Sequence, residues 1–272
     1  MLTFFRRIRK ELLGSRQVGK YILYATGEIL LVVLGILIAL QINNWNERNK
    51  EQATSMTYVN NLIDDLSKDS DMYDDQIRAA QLKFQFCKEI FGIVKDRESI
   101  IDTSKFIVNL QAAGRLILPT ITDNTYNDLV STGNIKLIKD KKSIDALREY
   151  YNNPLDFWYE DYKNQLVNGY LPIVVNAIPL HLHEEILENE IIDKFQDFTD
   201  KALLNNQVVG YTSQDVLKIF SALRDNDNFY FNLKRITRSH LLQYNILGKN
   251  KKSAVALLET LEDWKLVKAQ GN

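Results

Sequence analysis

Cysteine is almost missing from this chain. Cys87 stands alone in 272 residues, which excludes an intramolecular disulfide and any cysteine-rich zinc site. Proline and glycine are scarce too, at four and eleven residues. Many-turn β folds need more of both, so the scarcity favours long helices. No stretch of useful length alternates apolar and polar residues as a half-buried strand does. The familiar catalytic fingerprints do not occur: there is no GxSxG, HExxH, phosphate loop or dinucleotide motif. A formal net charge of −1 gives no support for nucleic-acid binding. These absences lead us to expect an all-α protein that is not an enzyme and carries no cofactor or metal.

What the chain does have is one long apolar run, YILYATGEILLVVLGILIALQINNW, residues 21–45, with Glu28 as its one charge. A helix rises about 1.5 Å per residue, so a hydrocarbon core of about 30 Å needs about 20 residues. The uninterrupted part from Ile29 to Ile42 would reach only about 21 Å. The span attains full length when residues 21–27 join it, which puts Glu28 inside the membrane near one end. Tyr21 and Tyr24 on one side and Trp45 on the other suit the two aromatic belts.

Residues 1–20 hold Arg6, Arg7, Arg9, Lys10, Arg16 and Lys20 against a single acid, Glu11. The positive-inside rule then places the N-terminus in the cytoplasm and residues 46–272 in the periplasm, with the span in the inner membrane. FFRRIRKELL reads as a short amphipathic helix on the inner surface, with Arg6, Arg7, Arg9, Lys10 and Lys20 near anionic lipid. A cleaved signal peptide competes with this reading. The internal charge and the lack of a small-x-small site after the run argue against it. So short a tail before the span is too small to be a signalling module.

After Trp45 no glycine or proline occurs until Gly92. A heptad seam is expected through Met56, Val59, Ile63, Leu66, Ser70, Tyr73, Ile77, Ala80, Phe84, Cys87, Phe91 and Val94. Its phase extends back into the span, so one helix can run from membrane to domain. The seam packs either inside the chain's own bundle or against a second copy as a coiled coil. The acid pairs Asp64–Asp65 and Asp74–Asp75 are expected on the wet face, and Cys87 is expected buried and inert.

Further helices are expected in turn. Ser104 caps one that ends at Gly114 in a left-handed turn, and Thr122 or Asp123 caps one that Gly133 stops. Asp140 caps a helix to Tyr151. Pro154 opens one carrying Phe157, Trp158, Tyr159 and Tyr162, which Pro172 and Pro179 kink or end. Residues 180–200 read as acidic helix and 205–212 as loop, and Ser213 caps a helix to Arg224. The last pattern, from Phe229 to Val267, has Gly248 as a weak point or a break. Its buried stripe reads Leu233, Ile236 or Thr237, Leu241, Tyr244, Leu247, Ala254, Leu258 and Leu261, and it pairs antiparallel with the first helix.

GEILLVVLGILIALQINNWNE, preceded by FFRRIRK and SRQVGKYILYA, resembles a family of uncharacterised single-pass membrane proteins widespread in Bacteroidota. TYNDLVSTGNIKLIKDKKSIDALREYY resembles the same family's middle. The resemblance implies an inner-membrane anchor and a helical ectodomain. It implies no reaction and no site residues.

Among candidate sites, Glu28 is the strongest. On a helix, Glu28, Val32, Gly35 and Ala39 share a face, and the two small residues permit close helix approach. An ionised group in a span costs about 2.5–3.5 kcal/mol and commonly has a partner or a role. Here that is a homo-oligomer or a membrane protein partner. Local bonding near the headgroups, for example to Tyr24, is the plainer alternative. His181 and His183 lie two apart, so on a helix they point about 200° apart and cannot share a metal. They read as solvated or capping groups. The aromatic cluster Tyr150, Tyr151, Phe157, Trp158, Tyr159 and Tyr162 can stack on a glycan, but at helical spacing it reads as core.

The expectation is therefore a membrane-anchored scaffold or assembly protein. A channel-like or motor-associated subunit using Glu28 is the first alternative. A sensor or ligand-binding bundle that signals through a partner is the second. If the span self-associates through the Glu28 face, Glu28→Leu and Gly35→Leu will reduce crosslinking and detergent-solubilised mass. Unchanged values remove that reading.

Overall fold

The computed structural model describes residues 18–96, 103–152, 156–188 and 211–270. Among them helix is the regular structure and no strand occurs, so the protein is all-α. The elements are α1 (Val18–Asp96), α2 (Thr103–Ala113), α3 (Asn124–Ser131), a 3₁₀ turn (Asn134–Leu137) and α4 (Lys141–Tyr151). They continue with α5 (Asp156–Gln165), a π-helical turn (Leu166–Tyr170), α6 (Leu171–Ala177), α7 (Leu180–Glu188), α8 (Ser213–Arg224) and α9 (Asp227–Gln270). The chain divides into two compact units, Met1–Thr57 and Tyr58–Asn272. The N-terminal amphipathic segment and the acidic stretch after Glu188 lie outside the described residues.

Unit 1 contains the apolar run. Its large side chains from Ile22 to Ile42 are exposed, and α1 is long and apolar enough here to cross a membrane.

Unit 2 is organised by two antiparallel stripes. On α1 the buried positions that form the stripe are Val59, Leu62, Leu66, Asp69, Tyr73, Gln76, Ala80, Lys83, Cys87, Ile90 and Val94. On α9 they are Phe229, Leu233, Ile236, His240, Gln243, Leu247, Asn250, Ala254, Leu257, Leu261 and Trp264. Both follow a strict alternation of four and three residues, the period that keeps a helix seam facing its neighbour. The antiparallel pairing is fixed by three contacts. Tyr230 donates to the Val94 carbonyl at 3.2 Å, Lys83 to Gln243 Oε1 at 3.2 Å, and Lys251 to Asp74 at 2.5 Å. The α1 seam in unit 2 thus packs inside the chain's own bundle.

Half of the expected α1 seam is displaced by one residue. Val59, Leu66, Tyr73, Ala80, Cys87 and Val94 are buried as expected. The other line runs through Leu62, Asp69, Gln76, Lys83 and Ile90 rather than through Ile63, Ser70, Ile77, Phe84 and Phe91, which are half-buried. Asp65, expected on the wet face, is buried too. On α9, Leu241 is 46% exposed, while its neighbour His240 is fully buried. At Gln76, Lys83 and His240 a polar residue takes the inward position next to an apolar one.

α3 and α4 pack on the near half of the two stripes, and α2, α5, α6, α7 and α8 on the far half. α2 is buried from Phe106 through Leu110 without a break, as a central helix must be. Around it cluster Ile90, Tyr162, Leu166, Tyr170, Ile219, Leu223, Phe229 and Leu233. A fully buried Leu, Ile or Phe of this kind contributes about 1.5–3 kcal/mol. The aromatic residues described in α4 and α5 are core: Trp158 stacks on Tyr162 at 5.1 Å and Tyr126 on Tyr151 at 4.4 Å.

Several helix ends differ from expectation in their chemistry. Ser104 lies inside α2, which begins one residue earlier. Thr212, not Ser213, caps α8, forming a reciprocal box with Asp215. Asp140 caps α4 as expected, accepting from Ser143 N at 2.7 Å. Asp123 precedes α3 but makes no side-chain cap bond. Pro172 sits in the first turn of α6, where its missing N–H costs nothing. α9 runs through Gly248 without a break. Gly133 does adopt the left-handed conformation, with φ 71°. Gly114 does not; a Cβ there would sit 2.5 Å from Leu171 Cδ2. It is small because α6 passes close by, not because the chain turns left-handed. Gly114→Val is therefore expected to cost about 1–3 kcal/mol through overpacking, read from urea unfolding of the detergent-solubilised chain. An unchanged midpoint would contradict the close approach.

Candidate functional site

Residues 115–123, between α2 and α3, form no helix. This segment crosses unit 2 against the two long helices, so its backbone polar groups need partners that no ladder supplies. Side chains of α1 and α9 supply them. His240 Nε2 lies 3.0 Å from the Ala113 carbonyl, at the end of α2. Lys83 Nζ donates to the Arg115 carbonyl at 3.4 Å, and Gln243 Nε2 to that of Ile117 at 3.3 Å. Further along, Gln76 Nε2 donates to the Leu118 carbonyl at 3.0 Å. Asp69 Oδ1 accepts from Thr122 N at 2.8 Å.

Lys83 lies at the centre and is fully buried. Besides Arg115 it donates to Tyr162 Oη at 3.0 Å and to Gln243 Oε1 at 3.2 Å. Tyr162 Oη is 3.3 Å from His240 Nδ1. A carbonyl only accepts, so His240 must carry its proton on Nε2, facing Ala113. Its bare Nδ1 then accepts from the Tyr162 hydroxyl, whose oxygen in turn accepts from Lys83. The result is a directed chain from Lys83 through Tyr162 and His240 to the end of α2. Cys87, one turn beyond Lys83, is buried as expected.

Burial governs the protonation of this group. It pulls the Lys83 amine down from about 10.5 to about 7, with the Arg115 charge adding to the fall and Cys87 opposing it. It drives His240 well below the ordinary histidine range, helped by Lys83. It pushes the Cys87 thiol up to about 12, against a hydrogen bond from Thr237, so this sulfur is not a reactive thiolate. A second acid node lies two heptads along α1. Asp69 Oδ2 accepts from Tyr150 at 2.8 Å, and Asp65 Oδ2 accepts from Thr125 at 2.5 Å. Burial raises the Asp69 carboxyl, and the Thr122 and Tyr150 hydrogen bonds offset part of that rise.

The expected site residues lie elsewhere. Glu28, Val32, Gly35 and Ala39 are all in the helical part of unit 1, so they share one face, and each is exposed. A Cβ on Gly35 would meet nothing within 4 Å. Tyr24 and Trp45 are exposed as belt residues would be. Lys20 and Tyr21 fall within α1; Arg6, Arg7, Arg9 and Lys10 lie outside the described residues. His181 is exposed, with Nε2 3.4 Å from Asp215, and His183 Nε2 meets the Val175 carbonyl at 3.1 Å. No cluster of three metal-ligating side chains occurs among the described residues. The buried polar group was missed because Lys83, Gln76, His240 and Gln243 each sit beside an apolar residue that fits a helix seam better. Their own four-and-three spacing was the available signal.

The pH dependence has a definite sign. Lys83 is depressed in the folded state, so between about pH 7 and 10.5 the unfolded chain holds more protons, and stability rises with pH. The slope is at most about 1.4 kcal/mol per pH unit. His240 adds a loss of stability as pH falls through its ordinary value of 6.5. Above pH 10 the buried Tyr162 and Tyr170 hydroxyls, pushed well above 10 by burial, reverse the trend. Chemical unfolding across pH 6–11 is expected to show a maximum between pH 9 and 10. Lys83→Met is expected to flatten the rise between pH 7 and 10. A rise that persists in this variant would assign it to another group.

No curated protein and no solved structure shows significant similarity to this chain. A family profile does match it over residues 28–171. That span begins at Glu28, takes in the α1 stripe and residues 115–123, and ends at the first residue of α6. Matched over more than half its length, the chain belongs to a family of unknown function, DUF6090.

Proposed function

We propose that this is a single-pass inner-membrane protein with a cytoplasmic N-terminus and a periplasmic helical domain that works in protein–protein assembly or scaffolding. The observation that carries this reading is the exposure of every large apolar side chain described between Ile22 and Ile42. An apolar surface of that length is stable in a bilayer and not in water. The basic N-terminal residues set the orientation. The kinship with Bacteroidota single-pass proteins, through the GEILLVVLGILIALQINNWNE anchor, belongs to the same reading.

Unit 2 supports work by contact rather than by catalysis. Three of its strongly perturbed titratable groups, Lys83, Tyr162 and His240, are fully buried and bonded to the chain's own backbone or to one another. The Glu28 face favours a partner inside the membrane. Glu28, Val32, Gly35 and Ala39 line one side of the helix, and the open space at Gly35 leaves room for a second helix to approach. An oligomer in which Glu28 serves a channel-like or motor-associated subunit rests on the same face.

Native mass spectrometry of the membrane-extracted full chain tests the proposal. The expected result is a defined oligomer or a complex with a co-purifying membrane protein, from material that stays in the membrane through an alkaline carbonate wash. A lone monomer overturns the assembly reading. Release by the wash overturns the anchor.

A further inference from the structure

One end of unit 2 combines lysines with exposed apolar side chains. The last turns of α9 are pinned there by Trp264, whose Nε1 donates to the Ile138 carbonyl at 2.9 Å. Between α9 and the start of α4 lies an open groove of about 370 Å³, lined in part by Lys139, Lys142, Trp264, Val267 and Lys268. Lys268 Nζ lies over the Trp264 ring at 5.8 Å. Next to it Leu266 and Val267 are 59% and 69% exposed. The stretch NIKLIKDKK, residues 134–142, brings Lys136, Lys139, Lys141 and Lys142 against one acid, Asp140. That carboxylate is engaged internally, accepting from Ser143 N at 2.7 Å and Ser143 Oγ at 2.6 Å. Asp263 is the other acid lining the groove.

Unit 2 also begins at this end. Tyr58, its first residue, donates to Asp128 at 2.7 Å and accepts from Asn134 Nδ2 at 3.1 Å. Twelve residues, 46–57, join Trp45 of the apolar run to Tyr58.

We propose that this lip of unit 2 binds the anionic headgroups of the bilayer its own chain spans, with Lys136, Lys142 and Lys268 on phosphates and Leu266 and Val267 in the interfacial layer. The proposal rests on the membrane reading above. Lysines that flank exposed apolar side chains and lay their stems on an aromatic ring are the chemistry of an interfacial surface. The charge selects anionic lipid over zwitterionic lipid. The lip lies at the end of unit 2 where the chain enters it, at Tyr58. The lip thereby adds a second hold on the membrane beside the span, and lipid charge governs it.

The test uses the full chain with Val267→Cys in nanodiscs, where both leaflets are accessible. One set of discs is phosphatidylcholine alone; the other holds phosphatidylglycerol and phosphatidylcholine in roughly a 1:2 ratio. The readout is the rate of labelling by a water-soluble maleimide. Cys87 is buried, and the unsubstituted chain measures its background. At low salt, labelling is expected to be at least about fivefold slower in the phosphatidylglycerol discs. Lys136→Gln, Lys142→Gln and Lys268→Gln together should abolish the difference, and arginine at the same three positions should keep it. Equal rates in the two lipids overturn the lip. So does a difference that survives the glutamine variant, or slow labelling in both lipids, which means a cover of protein or neutral lipid. Failure of the chain to enter discs at all strikes the anchor reading itself.

Discussion

A stretch of non-helical backbone laid across two long helices sets the terms for the rest of unit 2. Residues 115–123 lie against two long helices and have no strand to pair with. Each buried carbonyl left alone would cost on the order of 1–3 kcal/mol. The solution is to point amide, amine and imidazole side chains at it from both sides. Gln76 and Lys83 reach from α1, and His240 and Gln243 from α9. That need explains why the two stripes are not purely apolar. It also explains why a lysine is tolerated at full burial with no carboxylate among its bonded partners: three acceptors surround its amine, and burial lowers the cost of leaving it neutral by pulling its pKa down.

The same arrangement gives the domain a fixed register. An apolar seam of alternating four and three residues can slide by a heptad at modest cost. A seam that carries Asp69, Gln76 and Lys83 cannot, because each must meet a particular atom of the segment it clasps. Buried polar groups of this kind serve specificity more than stability. The work by contact proposed for this domain would benefit from that property, because its outer surfaces keep one shape. The apolar run of unit 1 obeys the opposite chemistry. There the apolar side chains face outwards, and a single acid and two small residues mark one face of the helix.

Much of the fold was legible from sequence. Helix content, the antiparallel pairing of the first and last helices, the cap at Asp140 and the stop at Gly133 follow from local patterns. Every second seam position on α1 was also visible, at Val59, Leu66, Tyr73, Ala80, Cys87 and Val94. The intervening positions were not, since Ile77 is a better apolar partner than Gln76, and Phe84 than Lys83, when nothing says that a bare backbone lies opposite. Leu241 and His240 repeat the point on α9. Gly114 shows it for the main chain: its smallness answers to Leu171, far away in sequence.

By itself the sequence determined class, the long apolar run and period. Those depend on composition and on repeats within one helix, and they are local. Which side chains turn inwards was decided only by the tertiary structure. A lysine or a glutamine is buried when a distant carbonyl requires it, and that requirement exists only once residues 115–123 have been laid between α1 and α9. The group of Lys83, Tyr162, His240 and Gln243 joins four residues spread across 160 positions. No local pattern could have gathered them, because the backbone they serve belongs to none of their own helices.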